Sequence, residues 1–367
     1  MKKLTVGLIF GGKSGEHEVS LRSASSILKA LNRRKYNVVP IGITKTGQWR
    51  SDPDFLEGEF FEILQHGSPV LFPVEPMALK HLIQFDSGTH WIGRQIQIDV
   101  VFPVLHGPFG EDGTIQGLLE IANIPYVGSG VLGSALAMDK DVMKRLFQQD
   151  GLRTASFIAF RKSDWDKQHQ EVVQEVTDKL GYPCFVKPAN FGSSIGISKV
   201  EQPKQLTGAI SLAVQFDDKI IVEKALDARE IECSVLGNVT PQASLPGEIT
   251  PGSVFYDYQA KYLNDKAQLL IPAPLKPVQV KQIQELAIRS FQVTECQGMA
   301  RVDFFLERST GEIYINEINT IPGFTSISMY PKLWEASGIS YSELIDRLIE
   351  LAIERHQQRQ SRTVDGG

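Results

Sequence analysis

Cysteine is scarce in this chain: Cys184, Cys233 and Cys296 are the three in 367 residues, and no two stand in CxxC spacing. That excludes a disulfide framework and a thiolate zinc site, and leaves reduced, buried thiols as the expectation. Long apolar runs are also missing. Nothing approaches the roughly 18 consecutive apolar residues that a membrane-spanning helix requires. The opening MKKLTVGLIFGG is basic and then apolar, but the apolar run is short and meets GGKSGE instead of a cleavage site, so it reads as a first strand. A cytoplasmic protein without a membrane partner is expected. Positive charge is in short supply too, with 38 Lys and Arg against 43 Asp and Glu, and a net charge of -5. Such a balance argues against nucleic acid as a partner.

What is present is ordinary globular composition, 42% hydrophobic and 22% charged, in a chain long enough for two or three domains. Strand-like runs at 4–10, 36–43 and 100–105, with a helical period at 20–31, predict an α/β layer with a mostly parallel sheet. Residues 52–89 are less regular and read as an insertion with a helix near 77–84. A helix at 139–149, strands at 156–160 and 184–187 and a helix between them place a domain boundary near Met138. A second boundary falls near Leu226, before a β-rich region and a final helix at 341–356. The predicted units are therefore 1–137, 138–225 and 226–367.

The segment GMARVDFFLERSTGEIYINEIN, residues 298–319, holds two β-type runs around a turn-forming stretch. Alternation puts Arg301 and Asp303 on one face of the first strand, and Glu317 and Asn319 on one face of the second. A register that joins those faces brings Asp303 against Glu317. Opposed carboxylates destabilise a sheet unless a cation lies between them, and oxygen-only ligands point to Mg2+. The alternative is a solvated polar face.

Four other segments bear chemistry. FGGKSGEHEVS, residues 10–20, joins a strand to a helix, where open α/β sheets bind ligands, and carries Glu18 near the helix start. It lacks GxGxxG spacing. FVKPANFGSSIG, residues 185–196, ends a strand at Lys187 and continues into Gly192, Ser193, Ser194 and Gly196, a loop able to cradle phosphate or simply a surface turn. LHGPFGEDG, residues 105–113, sets His106 at a strand's carboxyl end, as a catalyst or a hydrogen-bonded strand-end residue. The aromatic stretch 252–270 reads as a lid over a site, or as a loop anchored by core aromatics.

Taken in order, GGKSGEHEVS, LHGPFGEDG, MDK, VKPANFGSSIG, VEKALDAREIE, YDYQAKY, ARVDFF and NEINTIPGFTSISMYP resemble the D-alanine:D-alanine ligases of the ATP-grasp superfamily, over nearly the whole chain. The resemblance implies an N-terminal doubly wound parallel-sheet domain followed by two α+β domains clasping ATP. It also implies joining of two D-alanines through an acyl phosphate, for peptidoglycan precursors, and a homodimer formed through the first domain. Two Mg2+ ions, or Mn2+ in their place, would lie on Asp303, Glu317 and Asn319. Lys140 and Lys187 would contact phosphates, with Gly192, Ser193 and Ser194 closing over them. Glu223, Lys224 and Leu226 would line the adenine pocket, and Glu230, preferred to Glu232, would take the ribose. Glu18 would bind the first D-alanine's ammonium, with His106 beside its carboxylate. Arg301 and the Gly323 N–H would form the oxyanion site, and Lys261, Ser328 and Met329 would receive the second D-alanine. Glu18, Ser193 and Tyr262 would lock the closed state, and Tyr262 favours an amine nucleophile. Ala189, Asn190 and Phe191 depart from residues found in some relatives, so no side-chain role carries over there. A dinucleotide-dependent oxidoreductase or a non-catalytic amino-acid-binding protein are rival readings, but neither gives Asp303, Glu317 and Asn319 a task.

Overall fold

The computed structural model describes residues 2–54, 60–73, 81–85, 93–192, 195–250 and 268–361. Three sheets follow one another along the chain. The first contains β1 (Leu4–Gly11), β2 (Tyr36–Ile43), β3 (Trp49–Ser51), β4 (Ser68–Leu71), β5 (His81–Phe85), β6 (Gly93–Gln97) and β7 (Val100–Val104), in the order β6-β5-β4-β3-β2-β1-β7. β1 is apolar on both faces and buried from Val6 onward, as a central parallel strand must be. Helix His17–Ala30 carries the chain from β1 to β2. Its Ser20 hydroxyl accepts from Gly11 N at 2.7 Å and donates to Val104 O, fastening two neighbouring strand ends at the site's edge.

In this sheet β1 pairs in parallel with β2 and β7, while β3 to β6 add as antiparallel strands. Where it is described, the insertion combines these strands with a short helix, Phe60–His66. Residues 81–84, expected as the end of a helix, belong to β5, which pairs along its length with β6. HLIQF is too short for its periodicity to separate strand from helix, and the neighbouring strand decides.

The second sheet comprises β8 (Phe157–Arg161), β9 (Cys184–Pro188), β10 (Ser198–Val200) and β11 (Lys219–Lys224), ordered β10-β9-β11-β8 and antiparallel throughout. Helices Lys162–Lys179 and Leu206–Ala213 close its core with Val176 and Ile210. The third sheet holds β12 (Ala228–Gly237), β13 (Gln242–Ala243), β14 (Gly247–Thr250), β15 (Gln268–Leu270), β16 (Gly298–Glu307) and β17 (Ile313–Asn319). Its order is β15-β14-β12-β16-β17, with β13 on β12. The last three residues of the expected lid therefore form a strand, paired with β14.

Along β16, Ala300, Val302, Phe304 and Leu306 enter a core shared with Met143 and Phe147 of helix Lys140–Gln149 and Phe291 of helix Pro277–Val293. Strand alternation then commits Arg301, Asp303 and Phe305 to the opposite face. Helix Lys140–Gln149 starts where Asp139 accepts from the backbone N–H groups of Asp141 and Val142, both at 3.1 Å. This cap fixes where Lys140 emerges. The three cysteines are buried free thiols. Among the described residues, no helix is long and apolar enough to cross a membrane.

Candidate functional site

The hairpin of β16 and β17 brings Asp303 opposite Glu317 and Arg301 opposite Asn319. A bulge follows at once, because Phe304 pairs with Ile315 and Asn316 becomes the extra residue. Such an irregularity redirects side chains next to the pairing it interrupts. On the other side of β16, Asp303 faces Glu232 and Arg301 faces Ser234 of β12. A row of three carboxylates, Glu232, Asp303 and Glu317, thus crosses three strands on one face. Like charges in register oppose sheet formation, so the row needs cations. Arg301 supplies one: Nε and Nη2 donate to Asp303 Oδ1 and Oδ2 at 2.7 and 2.6 Å, and Nε lies 3.0 Å from Glu232 Oε2. Lys140 supplies another, with Nζ 3.4 Å from Glu317 Oε2. Asn319 Nδ2 donates to Asp303 Oδ2 at 3.1 Å.

Across from this row stands the second sheet. Lys187 on β9 donates to Glu223 Oε2 on β11 at 2.8 Å, and Lys144 Nζ lies 3.3 Å from Glu223 Oε1. Burial pushes the Glu223 carboxyl upward, but the ammonium groups of Lys144 and Lys187 prevail and hold it at about 2. Lys140 also donates to Phe191 O at 2.8 Å, tying its helix to the loop after β9. Between the sheets lies a cavity of ≈ 610 Å³ whose walls include Lys140, Lys187, Gly192, Glu223, Lys224, Leu226, Glu230, Asp303 and Glu317. The sequence-predicted nucleotide and metal residues therefore converge here, except that Ser194 lies outside the described residues. Asn319 joins them through its bond to Asp303.

The loops of the first sheet approach from a third side. Gly15 and Ile195 come close, since a Cβ on Gly15 would stand 3.0 Å from Ile195 Cδ1. Glu18, the expected substrate ligand, is exposed and paired with Lys45 at 2.8 Å. The inward carboxylate is Glu16, two residues earlier. It is buried, and its Oε2 would lie 2.9 Å from a Cβ on Gly107 and 3.4 Å from one on Gly192. Glu18 faces outward because the helix has already begun at His17, whereas Glu16 is still in the turn that enters the site.

His106 is buried, with Nδ1 2.9 Å from Ile321 O and Nε2 3.2 Å from Ser23 Oγ. Glu111 draws the same two loops together, accepting from Gly107 N at 2.7 Å and Ile321 N at 3.0 Å. Loss of hydration and the nearby Glu16 carboxylate raise the Glu111 carboxyl to about 8, despite those bonds and the field of Arg301. Past Ile321, Gly323 packs so closely on Ser328 that a Cβ would stand 2.7 Å from its Oγ. Ser328 is the N-cap of helix Met329–Ala336, and Met329 is buried beside Ile249 and Leu333. Ser193, Lys261 and Tyr262 lie outside the described residues. Sequence reasoning missed Glu16, Glu111 and Lys144 and passed over Glu232. The available signals were the position of Glu16 before the helix, the four-residue spacing of Lys140 and Lys144, and the shared face of Glu230 and Glu232.

Residues 5–129 match the family described as D-ala D-ala ligase N-terminus, and residues 146–350 match D-ala D-ala ligase C-terminus. The D-alanine--D-alanine ligase of Natranaerobius thermophilus is 49% identical, over 100% of this chain and 99% of the relative. Among solved structures, the D-alanine-D-alanine ligase from Coxiella burnetii superposes with a TM-score of 0.84 at 38% identity, covering 98% of this chain and 97% of its own. The VanG D-Ala:D-Ser ligase from Enterococcus faecalis gives 0.83 at 38% identity, covering 96% and 100%. The sheets and the cleft between them are those of an ATP-grasp protein. Within that class, the chain belongs to the D-Ala-D-Ala ligase family.

Proposed function

We infer that this chain joins two D-alanines at the expense of ATP, making D-alanyl-D-alanine for peptidoglycan precursors. The observation that carries the reading is the cleft itself, where lysines of the second sheet face a row of carboxylates on the third. A carboxylate is a poor electrophile, and both it and ATP are anionic, so cations must gather them before phosphoryl transfer. The first D-alanine's carboxylate attacks the γ-phosphorus, ADP departs and an acyl phosphate forms. The second D-alanine's amine attacks the acyl carbon, a tetrahedral intermediate collapses, and phosphate leaves.

Lys140 and Lys187 take the phosphates, Glu223, Lys224 and Leu226 border the adenine, and Glu230 meets the ribose. Asp303, Glu317 and Asn319 would hold Mg2+, as two ions, or Mn2+ in its place. The donor set fits, being oxygen-only, with a carboxylate row that outnumbers Arg301 and Lys140 by one charge. When bound, the metal neutralises charge on the β- and γ-phosphates.

Glu16, in place of Glu18, takes the first D-alanine's ammonium, because it is the buried carboxylate between the His106 loop and the phosphate loop. Arg301 and Gly323 N–H stabilise the oxyanion. Ser328 and the start of helix Met329–Ala336 receive the second carboxylate, helped by the helix's positive end. Ser193, Ser194 and Tyr262 keep the closing roles implied by the resemblance, and Lys261 keeps its place at the second D-alanine. The units remain 1–137, 138–225 and 226–367, in a cytoplasmic homodimer, which light scattering tests.

The deciding experiment measures phosphate release from ATP and Mg2+ with D-alanine, L-alanine, D-alanine plus D-serine, D-alanine plus D-lactate, and no amino acid, with products weighed. Dipeptide matching phosphate only with D-alanine present is expected. Phosphate without dipeptide, or none with D-alanine, would overturn the substrate assignment.

A further inference from the structure

Lys144 has a placement that catalysis by Lys140 and Lys187 does not explain. It lies one turn after Lys140 on helix Lys140–Gln149 and is 1% exposed, more deeply buried than Lys187 at 8%. Unlike Lys187, it is absent from the cleft wall. Each oxygen of Glu223 has its own lysine: Oε2 receives Lys187 at 2.8 Å, and Oε1 stands 3.3 Å from Lys144, an ion pair whose angles fall short of a hydrogen bond. One cation suffices to neutralise one carboxylate. Burying a second ammonium carries a desolvation penalty that an apolar side chain of similar length would avoid. Burial pulls the Lys144 ammonium below its ordinary value even beside Glu223, whereas Lys187, also desolvated, is raised by Glu223.

The surplus cation has a use once an anion enters the cleft. Lys187 cannot serve both Glu223 and a phosphate fully, and if it turned away from a singly paired Glu223, a buried carboxylate would be stranded. Stranding one partner of a buried pair is strongly unfavourable, enough to cancel much of what the lysine gains on phosphate. We propose that Lys144 is a positioning residue that keeps Glu223 neutralised while Lys187 transfers from Glu223 to the polyphosphate of a bound nucleotide. This rests on the cleft being the ATP site. Lys144 touches neither nucleotide nor substrate; it sets the cost of releasing Lys187.

The test is the ratio of ATP to adenosine affinity, by calorimetry with Mg2+ present, in the full-length protein. Adenosine reports the base and ribose contacts alone. In Lys144→Met the ratio should fall on the order of 10-fold, and in Lys144→Met/Glu223→Gln it should return to the wild-type value, because no carboxylate then retains Lys187. A purely structural role would weaken both ligands alike and would not be rescued. An unchanged ratio in Lys144→Met overturns the inference. Should that variant fail to fold, Glu223→Gln is compared with the double variant: equal ratios support the inference, and a further loss on removing Lys144 overturns it. Absence of ATP binding by the wild type would overturn the reading of the cleft, and this inference with it.

Discussion

Arg301 offers the sharpest test of the carboxylate row. Its fork makes two bonds to Asp303, at 2.7 and 2.6 Å, and approaches Glu232 at 3.0 Å, with side-chain exposures of 8%, 13% and 6% for Arg301, Asp303 and Glu232. At that depth solvent screens little. Lysine can keep the charge but not the planar fork, so Arg301→Lys loses at least one charge-assisted bond, about 1.5–3 kcal/mol. Arg301→Met removes the cation altogether and leaves the buried Glu232 and half-buried Asp303 carboxylates in register with Glu317, a loss of about 3–5 kcal/mol. Urea unfolding followed by tryptophan fluorescence measures both, and phosphate release measures turnover. Arg301→Lys should fold, unfold at lower urea than wild type, and lose kcat by more than its stability loss alone would cause at the assay temperature. Arg301→Met within about 1 kcal/mol of wild type, below the range for a broken buried pair, would refute the idea that this arginine holds the row together. Equal kcat for wild type and Arg301→Lys would remove it from the oxyanion site.

Glu16→Gln should reduce kcat/KM for D-alanine by about 10- to 100-fold, the loss of a charged hydrogen bond, while Glu18→Gln, on the exposed Lys45 pair, should stay near wild type; steady-state kinetics that reverse the order would restore Glu18. Glu317→Ala should abolish turnover with circular dichroism unchanged, and wild-type phosphate release would take Glu317 out of the site. Glu111, raised from 4.5 to about 8, binds its proton more tightly folded than unfolded, so its contribution to stability is complete below about 4.5 and fades as pH rises through about 8. Urea midpoints measured from pH 5 to 9 should therefore depend less on pH in Glu111→Gln, and identical pH profiles for the two proteins would contradict the placement.

The legible parts of the sequence were those governed by local periodicity. A period of two, a turn and a second period of two placed Asp303 against Glu317 because register follows from the hairpin. The same logic could not place Glu16, whose direction depends on where helix His17–Ala30 begins, a boundary that one residue of shift would change. The four-residue spacing of Lys140 and Lys144 is a signal that does not by itself tell a buried lysine from a solvated helix face, which only β9 and β11 laid over it decide. Glu111 is legible only in three dimensions, as its two backbone partners are 4 and 210 residues away. In the insertion, the short run at 81–84 reads as helix when taken alone, and its antiparallel neighbours make it a strand.

The last long helix, Tyr341–Gln360, packs Leu344, Ile345, Leu348 and Ile349 into the core of the first sheet, against residues such as Leu8, Phe102 and Val104. Lys35 and Asp346 pair at 2.6 Å across the same contact, and Arg355 donates to Tyr126 O at 2.9 Å. During synthesis the sheet strands leave the ribosome well before helix Tyr341–Gln360, which supplies their apolar partners. Part of that sheet face, covered early only where helix His17–Ala30 lies, must therefore wait until helix Tyr341–Gln360 is made. Its exposure to aggregation or chaperone capture is set by the time needed to make roughly two hundred and forty further residues, about 12–50 s at usual elongation rates of about 5–20 residues per second.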